Sequence, residues 1–156
     1  MSALRCVASA PTALGARAIR RILVATDLTT ASCAATDQAL ELARDLGAEL
    51  LIVSVIDVAS VARSAQPLPR MDQRRAAREL AAQALVLRVR REGVSASFIV
   101  WEGEPGPAIV DAAASEQADV IVVGSHGRGA LGRMFAGSVS EFVVRHAACP
   151  VLVVRQ

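Results

Sequence analysis

Lysine is absent from this sequence: all 17 basic residues are arginine. That excludes a Walker-type phosphate loop, a Schiff base and a lysine general base. Aromatic residues make up only 3%, so an apolar content of 53% must build its core from Val, Ile, Leu and Ala. An apolar content this high is not that of a disordered chain. The three cysteines, Cys6, Cys33 and Cys149, are odd in number and widely spaced. They form no disulfide framework and point to a reducing, cytoplasmic setting. No apolar run exceeds four residues, whereas a membrane-spanning helix needs about 18 or more. The N-terminus also lacks the apolar stretch of a secretory signal.

What charge there is lies unevenly. The first 21 residues hold Arg5, Arg17, Arg20 and Arg21 and no acid, leaving thirteen arginines against fifteen acids, a net of −2, in the rest. A body so close to neutral argues against a nucleic-acid partner, which usually calls for a basic face. At 156 residues the chain fits one domain at roughly 150 residues each. Residues 1–20 are rich in Ala, Ser and Arg, loosely like an organellar transit peptide. They read more simply as a flexible N-terminal extension ahead of a single domain over 21–156.

From Arg21 onward, short aliphatic runs alternate with helical patterns. Residues 21–26 read as a buried strand ending at Asp27. Thr30 can cap a helix with apolar positions at Ala35, Ala39, Leu42, Ala43 and Leu46, stopped by Gly47. Residues 49–56 read as a second strand and 57–69 as a loop. A long Arg/Ala-rich helix follows over about 70–92 and closes at Gly93. Residues 95–101 read as a third strand, 102–107 as a turn and 107–117 as a helix. Asp119-Val-Ile-Val-Val-Gly124 is a strand buried on both faces. A glycine-rich loop, a helix over about 137–147 and a last strand at 150–155 complete the chain. The alternation predicts an α/β fold, a five-stranded parallel sheet with helices on both faces. Such sheets take ligands beyond the carboxyl ends of their strands, where strand order reverses.

The segment from Gly124 to Ser140 falls at such an end. Gly124, Gly127, Gly129 and Gly132 permit positive φ and close backbone approach to a ligand. Gly137-Ser138 opens a helix, whose unsatisfied N–H groups and dipole favour an anion. Ser138 and Ser140 add hydroxyl donors, and Arg128 and Arg133 are the loop's charged side chains. The whole suits a phosphate; the plain alternative is a connection followed by a serine-capped helix. Gly127 to Gly132 also satisfies G-x-G-x-x-G. The dinucleotide fingerprint wants an acid about 20 residues on, and none follows Glu141, so this match is incidental.

Gly124-x2-Gly127-x9-Gly137-Ser138 resembles the G-2x-G-9x-G-[S/T] pattern of the ATP-binding branch of the universal stress protein family. Asp27, the Ser-Val-Ile-Asp end of strand two and the closing Cys-Pro-Val-Leu-Val-Val extend the likeness over about residues 20–155. The resemblance implies an adenine-nucleotide hydrolase-like sheet in the order 3-2-1-4-5. It implies ATP, or ADP or AMP, as ligand, together with Mg2+. Ala25 and Asp27 would then lie on the ribose and adenine side, and Val55 would hold adenine through its backbone. Val123, Gly124, His126 and Gly127 would follow the ribose and phosphates. Gly137, Ser138, Val139 and Ser140 would bind the phosphate tail. It further implies a homodimer through the last strand, where residues 151–154 are all aliphatic and suit a covered edge. Leu28 departs from the family, many of whose members have Gly there.

Other residues have plainer readings. Asp27 could cap the first helix, and Asp57 could simply open the next loop. No acid is placed to orient His126, so it reads as a ligand contact and not a base. Cys149 reads as a small buried residue, Trp101 as packing on an edge strand, and the arginines at 70–91 as a solvated helix face. Two His and three scattered Cys lack metal-ligand spacing, so a protein-held zinc is not expected. No catalytic residue stands out. The leading expectation is a nucleotide-binding stress-response module that uses occupancy to bias its dimer or an unidentified protein partner. The alternatives are a slow ATPase or self-phosphorylating protein using Ser138 or Ser140, or a dimeric scaffold with an idle site.

Overall fold

A computed structural model of the chain describes residues 18–62, 71–125 and 137–155. Five strands form the sheet: β1 (Arg21–Ala25), β2 (Glu49–Asp57), β3 (Ala96–Gly103), β4 (Val120–Gly124) and β5 (Val151–Val154). All pairings are parallel, in the order β3-β2-β1-β4-β5, as the resemblance implies. The helices are α1 (Cys33–Leu46), α2 (Val58–Ala62), α3 (Met71–Arg91), α4 (Pro105–Ser115) and α5 (Ser138–His146).

The uninterrupted apolar strands follow from burial on both faces. Successive side chains point to opposite sides. Ile22, Val24, Leu50, Ile52, Val120 and Val122 pack under α1 and α3. Leu23, Leu51, Val53, Ile121 and Val123 pack under α4 and α5. With so few aromatics, the helices supply alanine to these contacts: Ala35, Ala39 and Ala43 from α1, Ala112 and Ala113 from α4. α1 ends as its sequence suggests. Gly47 takes φ 63°, its N–H turns back to Ala43 and Arg44, and the Ala48 N–H reaches Ala43 O at 2.9 Å. Glycine adopts that left-handed cap without the cost a side chain would add.

Three boundaries differ from the sequence reading. The 57–69 segment is not all loop: β2 runs through Asp57 and α2 follows, with Asp57 Oδ1 accepting the Ala59 N–H at 3.0 Å. The short polar side chain caps a helix of five residues, too few to show a helical period in the sequence. Residues 63–70 lie outside the described part. The expected turn at 102–107 shrinks to Glu104, because β3 continues to Gly103 and α4 starts at Pro105. Proline suits that first helical position, where an N–H would have no partner. Finally, a 3-10 turn at Thr30–Ser32 precedes α1, and Thr30 gives no side-chain cap.

Gly106 shows how α4 meets α5. A Cβ there would lie 2.8 Å from Phe142 Cγ and 3.0 Å from its Cβ, the part of the ring side chain least able to swing away. Gly106→Ala should therefore lower stability by roughly 1–3 kcal/mol, the usual cost of overpacking. Equilibrium urea denaturation would read this as a lower midpoint.

Candidate functional site

The carboxyl ends of β1, β2 and β4 meet where strand order reverses about β1. β1 pairs with β2 as far as Ala25 opposite Val53, and the Thr26 N–H extends the ladder to Val53 O at 3.0 Å. β2 continues past that point against β3 alone, with Val55 opposite Trp101. Its β1 side is left without a strand. Ala25 also pairs with Val123, next to Gly124 at the end of β4. Ala25, Val55, Val123 and Val139 all belong to the apolar layer on the α4–α5 side. These predicted residues are thus brought to one end of the sheet and one face of it.

The loop after β4 is closed at its base. The Ser125 N–H donates to Val154 O at 2.8 Å, and Ser125 O accepts the Gly137 N–H at 2.9 Å. The chain therefore leaves β4 and enters α5 at neighbouring points. His126 and Gly127 lie outside the described residues, as do Gly129 and Gly132. Gly124 and Gly137 do not adopt positive φ; among the described glycines that conformation belongs to Gly47, Gly93 and Gly103. A Cβ at Gly124 would meet only Ala35 Cβ, at 3.8 Å. Packing within the described chain therefore does not demand glycine there.

At the start of α5, no hydrogen-bond acceptor within the described residues takes the N–H groups of Ser138, Val139 and Ser140. These are among the donors that every helix leaves unsatisfied in its first turn. Ser138 is exposed, whereas Ser140 is 2% exposed and donates its hydroxyl to Gly137 O at 2.8 Å. The Ser140 hydroxyl is thus turned into the helix start, and what that residue leaves for a ligand is its backbone N–H.

The turn after β1 is tied down by side chains. Asp27 Oδ1 accepts Thr29 N–H at 3.0 Å and the Thr29 hydroxyl at 2.6 Å. Asp27 therefore does cap the turn toward α1, and Thr29 engages only one of its two oxygens. Burial pushes the Asp27 carboxyl up. The Thr29 hydroxyl and N–H, the Ser32 hydroxyl and the Arg78 charge together outweigh that and hold it below its ordinary value. What these contacts stabilise is present above the ordinary carboxylate range and is lost as pH falls through the lowered value.

Leu28 follows with φ 60°. A leucine in the left-handed region costs about 1–2 kcal/mol. Two hydrogen bonds hold its preceding peptide. The Leu28 N–H donates to Thr26 Oγ1 at 3.0 Å, and Asp27 O accepts from Arg78 Nη1 at 2.8 Å. Ser32 Oγ lies 2.7 Å from Thr26 Oγ1 and 2.9 Å from Thr29 O, which ties the start of α1 to the same turn. Arg78 Nη1 also donates to the fully buried Ser54 Oγ at 3.1 Å.

Sequence reasoning misses Arg78 and Ser54, and Leu28 stands out there only as a departure. Arg75, Arg88, Arg90 and Arg91 of α3 are exposed, as a solvated face requires, yet three of the four are also paired. Arg75 reaches Glu102 Oε1 at 2.9 Å and Arg88 reaches Asp37 at 2.6 Å. Arg90 donates to Ala96 O at 2.7 Å. Trp101 does lie on an edge strand, but it is 39% exposed and not simply packing. Cys149 is half-buried, and burial raises its thiol pKa; Cys33 is exposed and unbridged. Among the described residues no three His, Cys, Asp or Glu side chains cluster as a metal site, and no helix is long and apolar enough to cross a membrane.

The universal stress protein family matches this chain over residues 18–155. A universal stress protein of Methanocaldococcus jannaschii is 32% identical over 91% of this chain and 85% of its own. One from Bacillus subtilis is 35% identical over 86% of this chain and 98% of its own. The structure of a universal stress protein from Archaeoglobus fulgidus in complex with dAMP superposes with a TM-score of 0.64. It covers 87% of this chain and 98% of that one at 24% identity, a likeness of fold.

Proposed function

The chain belongs to the universal stress protein family, and on that footing we propose that it is an adenine-nucleotide-binding module, taking ATP, or ADP or AMP, at the carboxyl end of the sheet. The observation that carries this reading is the turn from β4 into α5. The first-turn N–H groups of Ser138, Val139 and Ser140 lack partners among the described residues. Such donors with a helix dipole behind them suit phosphate oxygens. Val55 lies where β2 has lost its β1 neighbour, which suits backbone hydrogen bonds to adenine. The Asp27 oxygen that Thr29 does not engage suits a ribose hydroxyl.

A magnesium ion would come with the phosphates, whose oxygens and water are its preferred ligands. The reading is a binding module that works by occupancy. β5, an edge strand with Leu152 39% exposed, is the surface a second copy would cover, completing a homodimer.

Calorimetric titration of nucleotide-stripped protein with ATP and Mg2+ tests this. A saturable heat is expected, with GTP weaker by about tenfold or more, a difference of about 1.4 kcal/mol. An absence of saturable ATP binding would overturn the reading. Turnover well beyond one ATP per site would replace it with an enzyme.

A further inference from the structure

We propose that Arg78 is a positioning residue for this site: from α3 it holds the Asp27–Leu28 peptide in the orientation that keeps the Asp27 carboxylate at the rim. The peptide-holding part stands on geometry alone, while the consequence for ligand rests on the nucleotide reading above. The peptide has two polar ends, and each is held from a different element. Its carbonyl accepts from the guanidinium at 2.8 Å, and its N–H donates to Thr26 Oγ1 at 3.0 Å. Without these bonds Leu28 would leave the left-handed region, and the shortest route is a flip of this one peptide. The flip would turn an N–H toward the arginine cation and a carbonyl toward Thr26. The flip leaves the Asp27 Cα in place, but it releases the turn in which Asp27 holds Thr29.

Packing holds Leu28 only in part, against the apolar clusters on the α1–α3 side. Leu28 is only partly buried, and the turn borders a hollow of about 110 Å³ lined by Thr26, Leu28, Thr29, Thr36, Leu85 and Arg88 among others. Arg78 itself is fixed. Its second acceptor, Ser54 Oγ, is fully buried in β2, so the guanidinium cannot follow the carbonyl if the turn shifts. The result is a link from α3 through β2 to the turn after β1. Leucine can occupy a left-handed position there because an arginine holds the peptide before it.

A four-protein comparison tests the link: wild type, Arg78→Met, Leu28→Gly and the double variant. Methionine keeps an apolar stem and removes the guanidinium, while glycine accepts positive φ at no steric cost. Two readouts are taken, the ATP dissociation constant and the backbone NMR signals of Asp27, position 28 and Thr29. Arg78→Met is expected to weaken ATP by about tenfold or more and to move those three signals. Leu28→Gly should bind nearly as wild type, and the double variant should recover most of the lost affinity.

If the double variant binds as weakly as Arg78→Met, the arginine acts otherwise and the inference falls. It falls equally if Arg78→Met leaves the signals of the turn in place. Should wild type bind no adenine nucleotide, the functional reading fails, and the NMR comparison still decides the role of Arg78. Arg78→Gln, which removes the cation and is too short to reach the Asp27 carbonyl, serves if the methionine variant unfolds, with displacement of the same signals expected and no displacement overturning the link.

Discussion

Gly137→Asp should abolish ATP binding without lowering the stability of the fold. Gly137 precedes α5 with φ −53° and ψ 159°, a backbone that any L-residue adopts, and contributes no side-chain cap. Aspartate is among the favoured residues at this helix position, so the helix itself should gain a few tenths of a kcal/mol. What changes is the occupant of the first turn. The new carboxylate would accept from the backbone N–H groups of the turn Ser138–Ser140, which the functional reading gives to phosphate. It would also repel the phosphates it displaces. A loss of about 100-fold or more is expected, or about 2.7 kcal/mol. Thermal or urea unfolding gives the complementary readout. At 100 times the wild-type dissociation constant, ATP should add about 2.7 kcal/mol to wild-type stability and no more than about 0.4 kcal/mol to the variant. A variant that ATP still stabilises fully would show that the ligand does not use this helix start.

The strands and their order were legible because burial on both faces leaves an unbroken aliphatic signature, as in Val120-Ile-Val-Val123, and because the family likeness supplied the order. The phosphate end was legible because glycine spacing is a local property of the chain. Contacts made across elements left no such trace. Arg78 lies between Ala77 and Glu79 in a helix rich in Arg and Ala, and nothing in that spacing reveals a reach to Asp27 and Ser54. Ser140 reads in sequence as a hydroxyl donor for phosphate, yet burial turns its hydroxyl back to Gly137 O. The one local hint is Leu28, which departs from the pattern that the resemblance implies. It becomes informative only when its φ of 60° and the two bonds on its peptide are known.

Ile52→Ala should cost roughly 2–5 kcal/mol, the range for deleting a buried aliphatic side chain and leaving a cavity. Ile52 is 0% exposed, pairs with Val24 on one side and Phe98 on the other, and packs under α1 and α3. The helices above it meet the sheet through small residues, Ala39 and Ala43 among them, which cannot extend into the space left behind. Against a total of about 5–15 kcal/mol for a domain, that loss is large. Urea denaturation should show a lower midpoint with an unchanged slope. Leu80→Ala, at a side chain 69% exposed on α3, should stay within about 0.5 kcal/mol. Ile52 stands two residues before Ser54, the buried anchor of Arg78, so the same variant links core to site. If the cavity is confined to the core, ATP at 100 times the wild-type dissociation constant should add about 2.7 kcal/mol, as in wild type. A smaller gain would mean that β2 has shifted beneath Ser54 and carried the Arg78 link with it.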